Sequence, residues 1–148
     1  MVIGESIPLI LEGHLIRKAD DVNIVDEVPA ELRSQHQLLG ELEQVYKLRL
    51  AHFQSHYLPS DWQKRVRSLG RFREWEVFLV DPYDIFVGKL FSVRLKDRAD
   101  LNALMSTLDR EKIRRRLVES SSGLRSDAHL LEAARQNWFI LFGEELPA

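Results

Sequence analysis

The sequence predicts an α+β protein, with a short mixed sheet of three to five strands flanked by helices and a helical C-terminal part. Strand-like alternation of apolar and polar residues occurs only before residue 81, whereas later segments show apolar residues at helical spacing behind capping residues. The chain has 148 residues, of which 45% are hydrophobic and 30% charged, and this composition suits a soluble globular protein. We therefore expect one compact domain, with an α/β core over residues 1–96 and a helical segment over residues 97–148 packed on it.

The chain is predicted to begin with a helix and an acidic strand. Pro8 falls within the first turn of a short apolar segment, where its missing N–H costs little, and this predicts a helix over residues 6–12. Residues 21–26 alternate and are rich in β-branched side chains, which predicts a strand. The alternation puts Asp21, Asn23 and Val25 on one face and Val22, Ile24 and Asp26 on the other.

Further helices and strands follow before residue 81. A helix is expected to begin at Pro29 and to bury one apolar stripe, and residues 48–53 alternate as a second strand. A loop then leads to a short helix with Ser60 as its N-cap. Residues 75–80 supply a third strand.

The C-terminal half carries clear helix start signals. Asp81 is a suitable N-cap and Pro82 occupies the first helical position, and this helix is expected to reach about Arg94. Asp97 and Asp109 are expected to cap the next two helices. The last helix is expected to bury an apolar face, formed by Leu130, Leu131, Ala134, Trp138, Leu141 and Phe142.

The composition excludes several classes of site. The chain contains no cysteine, which rules out disulfides, thiolate zinc sites and cysteine nucleophiles. Its apolar runs are much shorter than the roughly 20 residues that a membrane-spanning helix needs, and its N-terminus lacks the basic start of a signal peptide. We therefore expect a cytoplasmic protein without membrane insertion.

Charge is distributed unevenly along the chain. Residues 1–61 carry 5 Lys or Arg against 10 Asp or Glu, whereas residues 62–116 carry 14 against 8. The acids that open the strand over residues 21–26 allow two interpretations. They belong to an edge strand and face water, or Asp21 and Asn23 hold a cation over a site, since oxygen ligands at positions i and i+2 share one side of a strand.

The segment "IGESIPLILEGHLIRKADDVNIVDEVP" resembles the start of the nucleotidyltransferase superfamily that contains polymerase beta and the small bacterial toxin or antitoxin nucleotidyltransferases. In that family, a Gly-Ser or Gly-Gly-Ser turn at a helix start is followed by a strand bearing Asp-x-Asp. Gly4 and Ser6 match the turn, and Asp21 and Asn23 match a degenerate Asp-x-Asp. A second segment, "LVDPYDIFVGKLFSVRLKDRADLNAL", resembles a helical part of small nucleotidyltransferase-like families through Lys89, Arg94, Lys96, Asp97 and Asp100.

The resemblance implies Mg²⁺-dependent transfer of a nucleotidyl group from a nucleoside triphosphate to RNA or to a protein. Asp21 and Asn23 would be the catalytic pair and would hold the metal. The turn formed by Gly4 and Ser6 would bind the phosphates at a helix N-terminus. Further phosphate charge would be met by two cations, Lys89 and Arg94.

Three departures from the family pattern predict weakened or lost catalysis. Asn23 stands where the second carboxylate belongs, and an amide oxygen does not offset the charge of a metal ion. Glu5 occupies the middle of the turn, where a carboxylate would repel a triphosphate. A third carboxylate has no clear counterpart, since the next strand offers His52 and Gln54, and Asp81 is a weak substitute.

Two other functions stay open at the level of sequence. A catalytically inactive member of the family would act by binding a partner protein, as an antitoxin-like subunit does. Alternatively, the chain is an RNA-binding module without a nucleotide pocket. The cations that favour RNA binding are Lys64, Arg65, Arg67, Arg71 and Arg73, together with those of "REKIRRRL", which starts at Arg110.

Overall fold

The structure, a computed structural model, describes residues 1–148 and contains eight α-helices and a single five-stranded mixed sheet. This confirms the α+β class and the helical C-terminal part. The residues form two compact units, one of residues 1–55 and 66–80 and the other of residues 56–65 and 81–148. The expected division at residue 96 into a core and a packed helical segment stays a prediction.

The first unit contains the whole sheet. Its elements are β1 (Val2–Gly4), α1 (Ser6–Leu11), β2 (Asp21–Val25), α2 (Ala30–Arg33), α3 (His36–Tyr46), β3 (Arg49–Phe53), β4 (Arg67–Phe72) and β5 (Trp75–Leu79). The strand order is β3-β2-β1-β5-β4, so that β1 lies in the middle. β1 runs antiparallel to β2 and parallel to β5, β2 runs parallel to β3, and β4 runs antiparallel to β5.

One face of this sheet carries the hydrophobic core of the first unit. Side chains that alternate along β1, β2 and β5 bury themselves there, because successive residues of a strand point to opposite faces. The core consists of Ile3, Ile24, Val28, Val77 and Leu79, against which Met1, Ile7, Val22, Leu32, Leu50 and Trp75 pack. Since Val22 and Ile24 belong to this core, Asp21 and Asn23 point to the opposite face, as the alternation predicts.

The expected continuous helix from Pro29 is wrong. The chain forms two helices, α2 and α3, which are interrupted at Ser34 and Gln35. The Ser34 hydroxyl donates a hydrogen bond back to the carbonyl of Glu31, a local bond that competes with continuation of a helix. The expected buried stripe is also wrong, because α3 contains no buried residue.

The segment after Ser60 contains a strand that the sequence reading missed. A 3₁₀ turn covers Trp62–Arg65, and β4 follows and forms a hairpin with β5. Ser60 is not a helix cap, since its hydroxyl and its N–H both donate to the carbonyl of Ser120. β4 is an edge strand with three arginine and serine side chains among six residues and a bulge between Ser68 and Gly70, so its alternation is weak in sequence.

The second unit is built from helices. These are α4 (Pro82–Leu90), α5 (Leu95–Leu104), α6 (Arg110–Ser120), α7 (Ser122–Arg125) and α8 (Ala128–Phe142). α4 packs against α5, α6 and α8. The largest fully buried side chains of this unit include Phe86, Leu101, Ile113, Leu117 and Trp138. None of the helices is both long and apolar enough to cross a membrane.

The helix starts of the second unit were predicted better than the ends. Asp81 and Asp109 cap α4 and α6, each through a side-chain oxygen that accepts a backbone N–H. Asp97 is not a cap, because it lies buried within the first turn of α5. α4 ends at Leu90 rather than near Arg94, and the Asn137 side chain of α8 donates to the carbonyl of Leu90 at this end.

Candidate functional site

The turn at Gly4 lies beside the acidic strand. β1 and β2 pair so that Gly4 stands opposite Asn23. Because the strands are antiparallel and advance by about 3.3 Å per residue, Asp21 lies next to the turn that follows Gly4. Of the four residues predicted from the sequence to share a site, Gly4 and Asn23 are therefore paired directly, while Ser6 and Asp21 each lie two residues further along the chain in the direction of the turn.

The turn itself has an unusual backbone. Glu5 has φ 59° and ψ −129°, a conformation that L-residues rarely adopt and that glycine adopts without strain. Ser6 is buried and begins α1, which has only six residues. A helix this short carries a small dipole, so the positive charge at this turn has to come mainly from side chains.

Arg17 provides such a charge, and the sequence reading missed it. Its Nη2 donates a hydrogen bond of 2.5 Å to the Ser6 hydroxyl oxygen. Arg17 comes from the loop between α1 and β2, eleven residues after Ser6, and it is half-buried. The only signal in the sequence was an arginine between the glycine turn and the acidic strand, and no local pattern indicated that it folds back.

The Asp21 carboxylate has a cationic neighbour on β3. β2 and β3 pair in parallel with Asp21 opposite Arg49, and the Arg49 Nε lies 3.3 Å from the Asp21 Oδ1. The side chain of Asp21 is 31% exposed and that of Arg49 is 65% exposed. The same register places Ala51 opposite Asn23. The face around Asp21 therefore presents one carboxylate, one amide and one guanidinium from neighbouring strand positions.

Lys89 and Arg94 belong to the second unit, and there they surround Asp97. The Lys89 Nζ donates 2.6 Å to Asp97 and lies 3.1 Å from the carboxylate of Asp100, while the Arg94 Nε donates 2.6 Å to Asp97. Lys89 is only 4% exposed. Ser92 also donates a hydrogen bond to Asp97. A phosphate that bound to Lys89 would have to compete with two carboxylates, and these contacts favour a structural role.

The network changes the ionisation of Asp97. Burial raises the pKa of this carboxyl, but the charge of Lys89 and hydrogen bonds from three side chains outweigh it, and the pKa lies below its usual value. Asp97 therefore stays ionised at neutral pH in spite of its burial. Its negative charge in turn holds the buried ammonium group of Lys89.

Comparison with known proteins decides the family. Residues 1–139 match a family model described as a nucleotidyltransferase of unknown function (DUF6036). The chain therefore belongs to this family. No curated protein and no solved structure gave a match.

The match to the family model supports the resemblance to nucleotidyltransferases that was found in the sequence, but only at the level of the family. The match covers both the turn and the acidic strand of the first unit and all but the last nine residues of the chain. The narrower predictions, a toxin or antitoxin type and an Asp-x-Asp motif, stay predictions. The substrate and the catalytic activity likewise stay predictions.

The nucleotidyltransferase resemblance implies magnesium, and the donor atoms beside the turn can be compared with that requirement. Asp21 offers one carboxylate and Asn23 one neutral amide oxygen. Ala51 lies where a third acid on β3 would have to stand, and His52 is paired with Ile24 and belongs to the core face. One carboxylate and one amide fit a single magnesium ion bound jointly with phosphate oxygens, and they do not fit a pair of ions.

Other acidic residues are engaged elsewhere. Asp81, the weak substitute for a third carboxylate, lies in the second unit, where it accepts the N–H of Tyr83 and pairs with Arg116 at 3.2 Å. The chain contains no group of three or more His, Asp or Glu residues placed to hold a metal ion.

Several cations that favoured RNA binding take part in ion pairs. Arg65 and Arg116 donate 2.9 and 2.5 Å hydrogen bonds to the fully buried carboxylate of Asp84. Arg67 pairs with Glu12. These cations are therefore partly neutralised within the protein, and RNA binding stays a prediction. On α6, Arg110 pairs with Glu144 at 2.8 Å, and the other exposed cations are Lys112, Arg114 and Arg115.

Proposed function

We propose that the chain binds a nucleoside triphosphate through its phosphates at the Gly4–Ser6 turn, and that transfer of a nucleotidyl group to RNA or protein is weak. The observation that carries this proposal is the pairing of Gly4 with Asn23, which brings the turn and the acidic strand together. Membership of the nucleotidyltransferase family supports the same arrangement.

The proposed phosphate site relies on side-chain charge. Arg17 already donates to the Ser6 hydroxyl, and its guanidinium has the planar donor geometry that suits phosphate oxygens. Arg49 adds a second guanidinium beside Asp21. Glu5, within the turn, opposes phosphate binding by like charge. The balance of two guanidinium groups against Glu5 and Asp21 predicts modest affinity for a triphosphate.

Weak transfer follows from the residues beside the metal position. A magnesium ion held by Asp21 and Asn23 would neutralise charge on the phosphates and orient them. Asn23 cannot supply the second negative charge, and β3 presents Ala51 rather than an acid at the neighbouring position. With a single carboxylate, the chain would bind the metal mainly when a triphosphate supplies further oxygen ligands.

Isothermal titration with each of the four nucleoside triphosphates, with and without Mg²⁺, tests the proposal. We expect Mg²⁺-dependent binding that Asp21→Ala weakens about tenfold or more, since ligand charge tunes the affinity of such sites. Glu43→Ala removes an exposed acid of α3 in the same unit and should leave binding unchanged. Absence of binding to all four nucleotides would reject the proposal.

Asn23→Asp tests whether the missing charge limits catalysis. This change restores two carboxylates at i and i+2, and we expect it to tighten Mg²⁺ binding about tenfold. It should also raise the transfer of label from α-labelled triphosphates to added RNA or to protein. Asn23→Ala is the matched control and should lower both quantities. Equal transfer by Asn23→Asp and the wild type would contradict the assigned role.

A catalytically silent, partner-binding member of the family is the second candidate. The observation that favours it is the ion pair between Asp21 and Arg49, which occupies the single carboxylate of the site. This candidate predicts that neither the wild type nor Asn23→Asp binds a nucleotide. A pulldown in which a partner protein is retained equally by the wild type and by Asp21→Ala would support it.

A further inference from the structure

We infer that Arg49 couples nucleotide binding to metal binding, by neutralising Asp21 when no nucleotide is bound and by moving to the nucleotide phosphates when one binds. This inference rests on the proposed function, because it takes the phosphates to lie at the Gly4–Ser6 turn. Arg49 is thus a positioning residue that acts on the metal through Asp21. The ligand it recognises is a polyphosphate chain.

The position of Arg49 leaves its side chain able to move. β3 forms one edge of the sheet, and the Arg49 backbone N–H is fixed by a 3.0 Å hydrogen bond to the carbonyl of Asp20. The side chain is nevertheless 65% exposed, and its Nε lies 3.3 Å from the Asp21 Oδ1. The base of the side chain is held beside β2, and its guanidinium lies at the surface.

The ion pair between Arg49 and Asp21 can be broken at little cost in free energy. Exposed pairs between arginine and a carboxylate gain little, because water screens both charges. A polyphosphate offers the same guanidinium several anionic oxygens and a bidentate geometry. β2 lies between β3 and β1, and neighbouring strands are about 4.8 Å apart. Phosphates at the turn that follows β1 therefore lie within range of a long side chain from β3.

A divalent cation and Arg49 compete for one carboxylate. Asn23 adds no negative charge, so the metal meets an Asp21 that is already neutralised. When the phosphates take over Arg49, Asp21 becomes available and the phosphates add their own oxygens. Metal and nucleotide should therefore bind with positive cooperativity, and the coupling must be equal in both directions.

Titration of the full chain with Mn²⁺, used as the metal probe, tests the inference. We expect Arg49→Gln to bind Mn²⁺ about three- to tenfold more tightly than the wild type without nucleotide, because the competing charge is gone. We also expect the gain in Mn²⁺ affinity caused by a nucleoside triphosphate to shrink by the same factor. Arg49→Lys keeps the charge but not the bidentate donor geometry, so without nucleotide it should bind Mn²⁺ as weakly as the wild type.

Arg33→Gln provides the matched control. It removes an arginine of the same unit that pairs with Glu27 at 3.5 Å, and it should leave Mn²⁺ affinity unchanged. A purely structural role for Arg49 would change stability in urea but would not tighten Mn²⁺ binding. Asp21→Asn combined with Arg49→Gln should lose the tightening, since the carboxylate is the group in competition.

The outcomes separate the inference from the proposed function. Unchanged or weaker Mn²⁺ binding by Arg49→Gln, with nucleotide binding intact, overturns the inference and leaves the proposed function standing. Failure of the wild type to bind any triphosphate in the presence of Mn²⁺ overturns the proposed function and the coupling together. Tighter Mn²⁺ binding by Arg49→Gln together with reduced nucleotide coupling supports both.

Discussion

The ring of Phe53 lies against the backbone of Gly4, so close that a Cβ atom at position 4 would stand 2.7 Å from the ring Cζ and closer still to Cε1. Gly4 has no positive φ, so this contact alone requires glycine there. Phe53 stands opposite Val25 in the β2–β3 pairing, and Val25 also approaches Gly4. The glycine of the turn is thus fixed by packing on its face of the sheet.

Gly4→Ala should destabilise the chain by about 1–3 kcal/mol in urea unfolding, the usual cost of overpacking. Phe53→Leu in the same background should recover part of this loss by making room. Gly40→Ala is the control, because nothing lies within 4 Å of a Cβ there, and it should stabilise α3 by up to about 1 kcal/mol. A Gly4→Ala chain as stable as the wild type would contradict the packing described.

Glu5→Gly should stabilise the chain by about 1 kcal/mol, because the relief of backbone strain exceeds the entropic cost of glycine. The expectation follows from the φ of 59° and ψ of −129° at Glu5. Glu5→Gln removes the same charge and retains the strain, so the difference in unfolding free energy between the two variants measures the strain. Both variants should bind triphosphates more tightly than the wild type. Lower stability of Glu5→Gly than of Glu5→Gln would argue against strain at this turn.

Asp97→Asn should make stability less sensitive to acid. A folded-state pKa below the usual value means that Asp97 stabilises the fold above about pH 3.9, the ordinary value of an aspartate. That contribution is lost as pH falls through the folded-state pKa. The substitution should lower the free energy of unfolding by about 3 kcal/mol at pH 7, because Lys89 loses a buried partner. At pH 3 the loss should be smaller.

Urea unfolding between pH 3 and pH 7 measures this difference. Asp61→Asn serves as the control, since Asp61 is exposed and pairs with Lys64 at the surface. Its effect on the unfolding free energy should stay small throughout. A cost of Asp97→Asn that does not change with pH would show that the ion pair with Lys89 does not carry the stabilisation.

Asn137→Asp should destabilise the second unit by about 2 kcal/mol or more, because it removes a donor without changing shape. The Asn137 Nδ2 donates 2.8 Å hydrogen bonds to the carbonyls of Leu90 and Ser92, and a carboxylate would repel both. Gln136→Ala changes the exposed neighbour and should alter stability by no more than about 0.5 kcal/mol. Circular dichroism during thermal unfolding compares the two, and equal melting temperatures would contradict the expectation.

The sequence predicted those parts of the fold in which local signals agree. The alternation over residues 21–26 gave β2 and its faces, and Asp81 with Pro82 gave the start of α4. The predicted end of α4 was wrong, and the side chain that binds the carbonyl of Leu90 there belongs to Asn137, which is distant in sequence. β4 was missed because the pairing partner that makes it a strand is β5, while its own arginines and glycine hide the alternation.

The candidate site was predictable only in part, for a similar reason. Gly4, Ser6, Asp21 and Asn23 stood out because they resemble the turn and the degenerate Asp-x-Asp of the nucleotidyltransferase superfamily. Arg17 and Arg49 did not, since their importance comes from a hydrogen bond to Ser6 and from the parallel register of β3. Register between strands is a tertiary property that a single sequence does not encode locally.

The central place of β1 in the sheet would link occupancy of the proposed phosphate site to the cooperativity of the whole first unit. β1 pairs with β5 through Val2 and Ile3 and with β2 through Ile3 and Gly4, so the turn that follows Gly4 continues directly from the central strand of the sheet. A polyphosphate that binds to this turn would slow amide hydrogen exchange along β2 and β5 as well as at the turn. Ligand binding would therefore raise the free energy of global opening, rather than slow hydrogen exchange in one loop only.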